Sequence, residues 1–377
     1  MLEGIIYIVD AVLVLVLATM AVQLRKMLRL TTPPRYTTAI APDVDLPSVT
    51  VCIPARNEQH ALIDCLQRII ASDYKKLEII VLDDSSGDET SALIKSFASE
   101  GVRFVSGSTL PKGWLGKNHA LQGLLDEASG SYILFVDVDT VLSPSAIEHI
   151  VRYALSHRSS MVSVLPRRED GWRASVVLSP LRYFWELIFS RRLWPATASN
   201  AWLIRREVLL TRFNGFRGFK NTIQPESKIA AELAQTKEYS FLVSTSAFGV
   251  GYEKKWRSQL ITSVRLLYPL LGQNLALAIL AILDIILLLS PYIIVVILIF
   301  VSVDALLLAF SVLLAVASCS LYGIYTYRVW RRGWLIGAVA WPLILIQEAF
   351  LICASIVQYN RRTVRWKGRL IQPEAQN

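Results

Sequence analysis

Apolar runs near both ends of the chain leave it few choices of fold. Gly4 to Leu24 is long enough to cross a hydrocarbon layer of ~30 Å as one helix, and it ends in Arg25, Lys26 and Arg29. Basic residues flanking a span favour the cytoplasmic side, so residues 1–30 read as an N-terminal transmembrane anchor whose far end enters the cytoplasm. A cleavable signal peptide would carry its positive charge before the apolar run and a small-residue cleavage site after it. Leu275 to Tyr325 is long enough for two spans, with Ser302-Val303-Asp304 as the turn, and Trp334 to Val357 makes another. Pro291 either kinks the first of these or marks the turn itself. Residues 274–358 are therefore expected to form a C-terminal transmembrane region, and the composition agrees: 53% hydrophobic and 18% charged, against roughly 45–50% and about 25% in soluble domains.

Between these runs the pattern changes. Residues 31–47 form a Pro-rich linker, and residues 48–251 alternate strand, loop and helix. Ser48 to Ile53 reads as a buried strand opening into Pro54-Ala55-Arg56-Asn57-Glu58, followed by helical spacing through Ala61, Leu62, Cys65, Leu66 and Ile69. Leu77 to Leu82 is a second strand, running into Asp83-Asp84-Ser85-Ser86-Gly87-Asp88 and then a helix through Ala92 to Phe97. Such alternation predicts a parallel α/β sheet with ligands bound beyond the carboxyl ends of its strands. A third apolar run, Ser131 to Val136, ends in Asp137-Val138-Asp139. Two carboxylates at a strand end suit Mg²⁺ or Mn²⁺, whose coordination is completed by water and phosphate oxygens.

These three loops together resemble those of the family-2 glycosyltransferases, which have a GT-A (Rossmann-like) fold. Pro54-Ala-Arg-Asn-Glu58 is similar to the family's first loop, Asp83 to Asp88 to its uracil- and ribose-binding loop, and Asp137-Val-Asp139 to its metal-binding Asp-x-Asp. Leu110-Pro-Lys-Gly-Trp-Leu-Gly-Lys117 is similar to a stretch of the hopene-associated, carotenoid and ceramide glycosyltransferase branch, whose acceptors are lipids. The resemblance implies an integral-membrane inverting enzyme moving a hexose from a nucleotide-diphosphate sugar, a UDP-sugar by preference, to a membrane lipid. It implies donor contacts at Pro54, Ala55, Arg56, Glu58, Asp84, Lys117 and Asp137, and a metal at Asp137 and Asp139. The residue chemistry is compatible: Asp84 can accept from a uracil N–H, Glu58 from ribose or base, and Lys117 can neutralise a phosphate.

Two family motifs are altered. The acceptor-side acid pair is represented by Pro225-Glu226 or by Glu226-Ser227, and the Gln/Arg-x-x-Arg-Trp motif by Tyr252-Glu-Lys-Lys-Trp256, of which Lys255 and Trp256 fit. Ile229 and Leu233 follow Glu226 at helical spacing, which puts Glu226 at the position of the catalytic base; in the other register Ser227 takes that position, and in a third reading Glu226 only favours a helix's first turn. Other functions compatible with the same motifs are a processive polysaccharide synthase and an inactive nucleotide-sugar-binding scaffold.

Residues 252–273 read as an interfacial amphipathic helix, with Trp256, Leu260, Val264 and Leu267 on one face and Lys254, Arg257 and Arg265 among them. Residues 359–377 form a basic tail containing Arg361 to Arg369, in which Val364-Arg-Trp-Lys-Gly-Arg369 is similar to the basic tail of the same lipid-glycosylating branch; the alternative reading is plain binding to anionic lipid. One span before the domain and three after it would put that tail outside, against the positive-inside rule. A cytoplasmic tail requires that one C-terminal apolar segment be re-entrant, or that Val176 to Trp194 be partly embedded. The net charge of +9 suits an anionic leaflet and a diphosphate; no nucleic-acid-binding module is recognisable, and Cys52, Cys65, Cys319 and Cys353 suggest neither a disulfide framework nor a zinc site.

Overall fold

The computed structural model of the chain describes residues 2–32, 44–169, 177–300 and 305–371. Most of the linker, Val176, the Ser302-Val303-Asp304 turn and the last six residues of the tail lie outside them. The chain opens with α1 (Leu2–Leu30). The central domain follows as β1 (Val49–Ala55), α2 (Leu62–Ile70), β2 (Leu77–Asp83), α3 (Thr90–Ser96), β3 (Val102–Ser106), α4 (Gly116–Glu127), β4 (Tyr132–Val136), β5 (Thr140–Leu142), α5 (Ala146–Ser156), β6 (Met161–Leu165) and β7 (Arg167–Arg168). Then come α6 (Arg182–Ile188), β8 (Ala201–Arg205), α7 (Arg206–Thr211), α8 (Pro225–Gln235), β9 (Tyr239–Val243) and β10 (Val250–Tyr252). The C-terminal part holds α9 (Trp256–Leu270), α10 (Leu275–Phe300), α11 (Ala305–Val329), α12 (Trp334–Val339), α13 (Trp341–Asn360) and the hairpin β11 (Arg365–Trp366) and β12 (Arg369–Leu370).

Seven strands form one sheet in the order β3-β2-β1-β4-β8-β6-β9. The β3-β2-β1-β4 half is parallel, as the strand–helix alternation predicts, but β8 runs antiparallel to both β4 and β6. The central strand β1 is covered on both faces, which is why it reads as a continuous apolar run. Val49, Val51 and Ile53 pack with Leu62, Leu66 and Ile69 of α2, while Cys52 lies with Leu121, Leu124 and Leu125 of α4 on the opposite face. Each of those leucines is within 1% of complete burial, which stabilises the fold by about 1.5–3 kcal/mol per side chain. Pro54 is tolerated inside this sheet because pairing of β1 with β4 stops at Cys52, so no partner there asks for its missing N–H.

The apolar helices gather into a separate core with α6 and α9. Helices α1 and α11 run parallel: Ile6 clusters with Leu307, Ser311 Oγ donates to Asp10 at 3.0 Å, and Arg328 donates to Thr32 at 2.6 Å. Pro291 lies inside α10, so it does not mark the turn. The run expected as a single span, Trp334 to Val357, breaks at Ala340 into α12 and α13, with Pro342 in the first turn of α13. Helix α12 folds back along the end of α11, where added Cβ atoms at Gly323 and Gly337 would both lie 3.1 Å from side-chain carbons of the facing helix. Helix α13 runs parallel to α9, with Trp256 donating to Gln347 at 3.3 Å and Tyr359 to Arg265 O at 2.7 Å. Between them, the Ser355 hydroxyl inserts into the backbone ladder of α9, donating to Val264 O and accepting from Tyr268 N–H. The middle of α13 touches the central domain: Leu181 N–H donates to Glu348 and Gln347 donates to Leu178 O.

Gly130, two residues before β4, lies close against β1: a Cβ there would sit 2.6 Å from Thr50 N and 2.9 Å from Val49 C. Backbone cannot yield as a side-chain tip can, so Gly130→Ala is expected to cost about 1–3 kcal/mol, seen as a lower melting temperature of the detergent-purified chain. An unchanged melting temperature would mean that the two strands have slack.

Candidate active site

Because β2, β1 and β4 are adjacent and parallel, the loops that follow them leave the sheet along one edge. The first two loops are knitted together. Asp84 N–H donates to Ala55 O at 2.8 Å, Asn57 N–H to Ser86 Oγ at 2.9 Å, and Gly87 N–H to Asn57 Oδ1 at 2.9 Å. Asn57 and Ser85 adopt φ of 51° and 56°, a left-handed conformation that short polar side chains sustain through such local bonds. The third loop is fastened to the end of β8: Asp137 N–H and Thr140 Oγ1 both donate to Asn200 O, at 2.9 Å each.

Four carboxylates meet at this edge, and each has its own cation. Glu58 pairs with Lys367 at 2.8 Å, Asp84 with Arg369 at 2.6 Å, Asp137 with Lys117 at 2.8 Å, and Asp139 with Lys254 at 2.9 Å. The Asp84 side chain is only 3% exposed. Burial raises the Glu58 carboxyl above its ordinary range despite the opposing pull of Lys367. Asp139 keeps one buried oxygen, Oδ1, without a hydrogen-bond partner. An unsatisfied carboxylate oxygen beside a second carboxylate fits a divalent cation. Among the described residues no group of three or more His, Cys, Asp or Glu forms a metal cage, so further ligands would have to come from water or from a phosphate.

Next to the acids lies a cleft lined by Lys117, Arg182, Glu226, Arg265, Trp114 and Trp366 among others. Glu226 stands in the first turn of α8, is 3% exposed, and has its carboxyl raised by burial, against the opposing charges of Lys117 and Arg182. Ser227 does not line the cleft. Arg182 Nη2, Arg265 Nε and Gln224 Nε2 are buried without hydrogen-bond partners. Burial lowers the Arg265 guanidinium from its ordinary value.

The structure thus brings Arg56, Glu58, Asp84, Lys117, Asp137, Asp139 and Glu226 to one edge, with Pro54 and Ala55 ending β1 beneath them. Lys255 and Trp256 are placed differently: both are exposed at the start of α9, and Trp256 is turned to Gln347. The lysine that meets Asp139 is the preceding one, Lys254, because the β5–β10 pairing and the Glu253 N–H bond to Asp139 O fix that register. Arg182 and Arg265 have no sequence signal of their own, since they are brought in by helices far along the chain. Lys367 and Arg369 belong to the basic tail, whose composition alone reads as membrane-binding.

A model described as Glycosyl transferase family 2 matches residues 50–213. Proteins named 4,4'-diaponeurosporenoate glycosyltransferase from Staphylococcus aureus strains bovine RF122 / ET3-1 and USA300 are 34% and 35% identical over 121 residues. That stretch is 32% of this chain and 32% of each relative, about a third of their length. A mannosyltransferase from Pyrobaculum calidifontis, solved with GDP-Man and Mn²⁺, is 18% identical with a TM-score of 0.56, covering 95% of this chain and 98% of that one. The two share a fold.

Lys254 and a divalent ion would serve the same carboxylate. Lys254→Ala leaves Asp139 an uncompensated, largely buried charge, so the melting temperature should fall, and Mn²⁺ should raise it by more than it does in the wild type. Lys255→Ala should change neither value. Equal Mn²⁺ shifts in wild type and Lys254→Ala would contradict the placement of an ion at Asp139.

Proposed function

We propose that this chain, whose residues 50–213 match the Glycosyl transferase family 2 model, is a family-2 glycosyltransferase that transfers a hexose from a nucleotide-diphosphate sugar, a UDP-sugar by preference, to a membrane lipid with inversion at the anomeric carbon. The observation that carries the reading is the convergence of the two loop acids Glu58 and Asp84, the Asp137–Asp139 pair and the buried Glu226 on one strand edge beside a cleft. Glu58 and Asp84 would accept from the nucleoside. Asp137 and Asp139 would hold Mg²⁺ or Mn²⁺, and that ion, when bound, supplies Lewis-acid stabilisation of the leaving diphosphate. Lys117, next to Asp137, adds a positive charge on the same side. Glu226 would take the proton of an acceptor hydroxyl as its oxygen bonds to the anomeric carbon and the bond from that carbon to the diphosphate breaks. Burial makes Glu226 a stronger base than an exposed carboxylate, which suits that task near neutral pH.

A lipid acceptor is supported by the surroundings of the cleft. Among the described residues four helices are long and apolar enough to cross a membrane: Glu3–Leu30, Leu275–Phe300, Ala305–Val329 and Trp341–Asn360. Leu110, Leu266, Leu370 and Ile371 give the cleft apolar walls. Phe189, Leu193 and Trp194 are 57%, 67% and 79% exposed beside Arg191 and Arg192, and the Gln23 side chain of α1 holds Ser190 O at 2.9 Å. Aromatic and basic residues at that level of a span suit a headgroup layer. The relatives' name, which couples glycosyl transfer to 4,4'-diaponeurosporenoate, points the same way.

The packing also supports a topology that removes the charge conflict. If α1, α10 and α11 cross the membrane while α12 and α13 turn back, the central domain and the tail share the cytoplasmic side. Contact of Gln347 and Glu348 with the 178–181 segment is what favours α13 as an interfacial helix.

Purified chain supplied with UDP-hexose, Mn²⁺ and a membrane-lipid extract should yield a hexosyl lipid detectable by mass spectrometry. Glu226→Gln should lower its rate by about 10²–10⁴-fold with UDP binding retained. Because only the ionised carboxylate is a base, kcat/KM should fall as pH falls through the raised Glu226 value, at a higher pH than an exposed carboxylate would give. Near-normal transfer by Glu226→Gln would place the base elsewhere. For the topology, Arg361→Cys in a Cys353→Ser background should react with an impermeant maleimide only after cells are permeabilised; labelling of intact cells would place the tail outside.

A further inference from the structure

The C-terminal hairpin sits on the residues proposed to grip the nucleoside. Besides the Lys367–Glu58 and Arg369–Asp84 pairs, Arg56 Nε donates to Lys367 O at 3.1 Å and Lys367 Nζ to Asn57 O at 3.2 Å. Trp366 lines the cleft, with the Arg265 guanidinium 5.8 Å from its ring centre. Gly116, which opens α4, lies so close that a Cβ would be 2.8 Å from Arg369 Nη1 and 3.1 Å from Asp84 Oδ2. The hairpin therefore occupies the donor loops themselves.

Its construction is that of a small part with few bonds of its own. Lys367 and Gly368 have φ of 47° and 84°, the two-residue left-handed turn that makes the tightest hairpins. Only Arg365 with Leu370 and Trp366 with Arg369 are paired, and a hairpin of that size has little stability of its own. It is anchored at its base, where Val364 and Ile371 are 2% and 9% exposed and Ile371 N–H donates to Val364 O at 2.9 Å. The cations are at the tip.

We propose that this hairpin is a donor-binding element: Lys367 and Arg369 leave Glu58 and Asp84 when the nucleoside takes those acids, and engage the donor's diphosphate. The inference rests on the proposed donor site. The exchange leaves no group without a partner: the nucleoside's neutral N–H and hydroxyl donors hydrogen-bond the acids in place of the cations, and the phosphates supply new anions for the cations. Arg369 presents a planar fork that can bind a phosphate bidentately, which Lys254 and Lys255 at the altered Tyr252-to-Trp256 segment do not. With Trp366 beside it, the hairpin supplies an arginine and a tryptophan from a segment more than a hundred residues further along the chain.

The test compares UDP and uridine binding, each with Mn²⁺, by the full-length detergent-purified chain. Arg369→Gln and Lys367→Gln should each weaken UDP binding about tenfold or more, with uridine binding unchanged or tighter; the melting temperature should fall in both, further in Arg369→Gln because Asp84 is the more buried acid. Arg369→Lys should recover part of the UDP affinity, because it restores the charge without the fork. Tighter binding of both ligands by the Gln variants would make the hairpin a blocking strap, and unchanged binding would make it a bystander; either overturns the inference. Equal weakening of both ligands would reduce Arg369 to a support for Asp84 and overturns it as well. A wild-type chain that binds neither UDP nor GDP would instead sink the donor-site reading on which this one rests.

Discussion

Four carboxylates crowded at the ends of β1, β2 and β4 would repel one another and lose hydration, and the rest of the site is arranged around that problem. Each acid is met by one cation, the four drawn from three parts of the chain: Lys117 from α4, Lys254 from the segment after β10, Lys367 and Arg369 from the C-terminal hairpin. Partly buried ion pairs of this kind add little net stability, since desolvation offsets most of the attraction. Their consequence is positional. They hold acids and bases within reach of one another, so that a ligand carrying both hydrogen-bond donors and phosphates can replace internal pairs with external ones.

That arrangement ties the central domain to the apolar bundle. Helix α13 lies along α9 and delivers the hairpin to the donor loops, while α9 carries Arg265 into the cleft and α6 carries Arg182. Glu226 is thus surrounded by groups that belong to the helical, membrane-like part of the chain as much as to the sheet. In the proposed function this is where a lipid would present its acceptor oxygen. The unpartnered Arg182 and Arg265 nitrogens would then meet a polar headgroup, with the apolar walls left for its chain.

Much of the sheet is legible from sequence because β1, β2 and β4 are short apolar runs closed by polar loops, and period-two burial on two faces produces that pattern. The three acidic loops are legible for the same reason. The antiparallel β8 is not, since its direction is set by partners, β4 and β6, that lie far away in sequence. The break at Ala340 is only partly legible: Pro342 interrupts the mostly apolar run from Trp334 to Val357, but the reversal of α12 against α11 is set by packing between the two helices. Lys254 and Lys255 are indistinguishable as letters and separated only by strand register. The basic tail is visible in the sequence, yet its charges are addressed to Glu58 and Asp84, a pairing that no local pattern encodes.

The account turns on Asp137 and Asp139 exchanging lysine partners for a metal-bound diphosphate. A cryo-EM structure of the full chain with UDP and Mn²⁺ tests this most directly. It should show ion density shared by the Asp137 and Asp139 carboxylates and the UDP phosphates, with Lys254 withdrawn from Asp139 Oδ2. Nucleotide bound at another edge of the sheet, with the Lys254–Asp139 pair still closed and no ion between the acids, would contradict it.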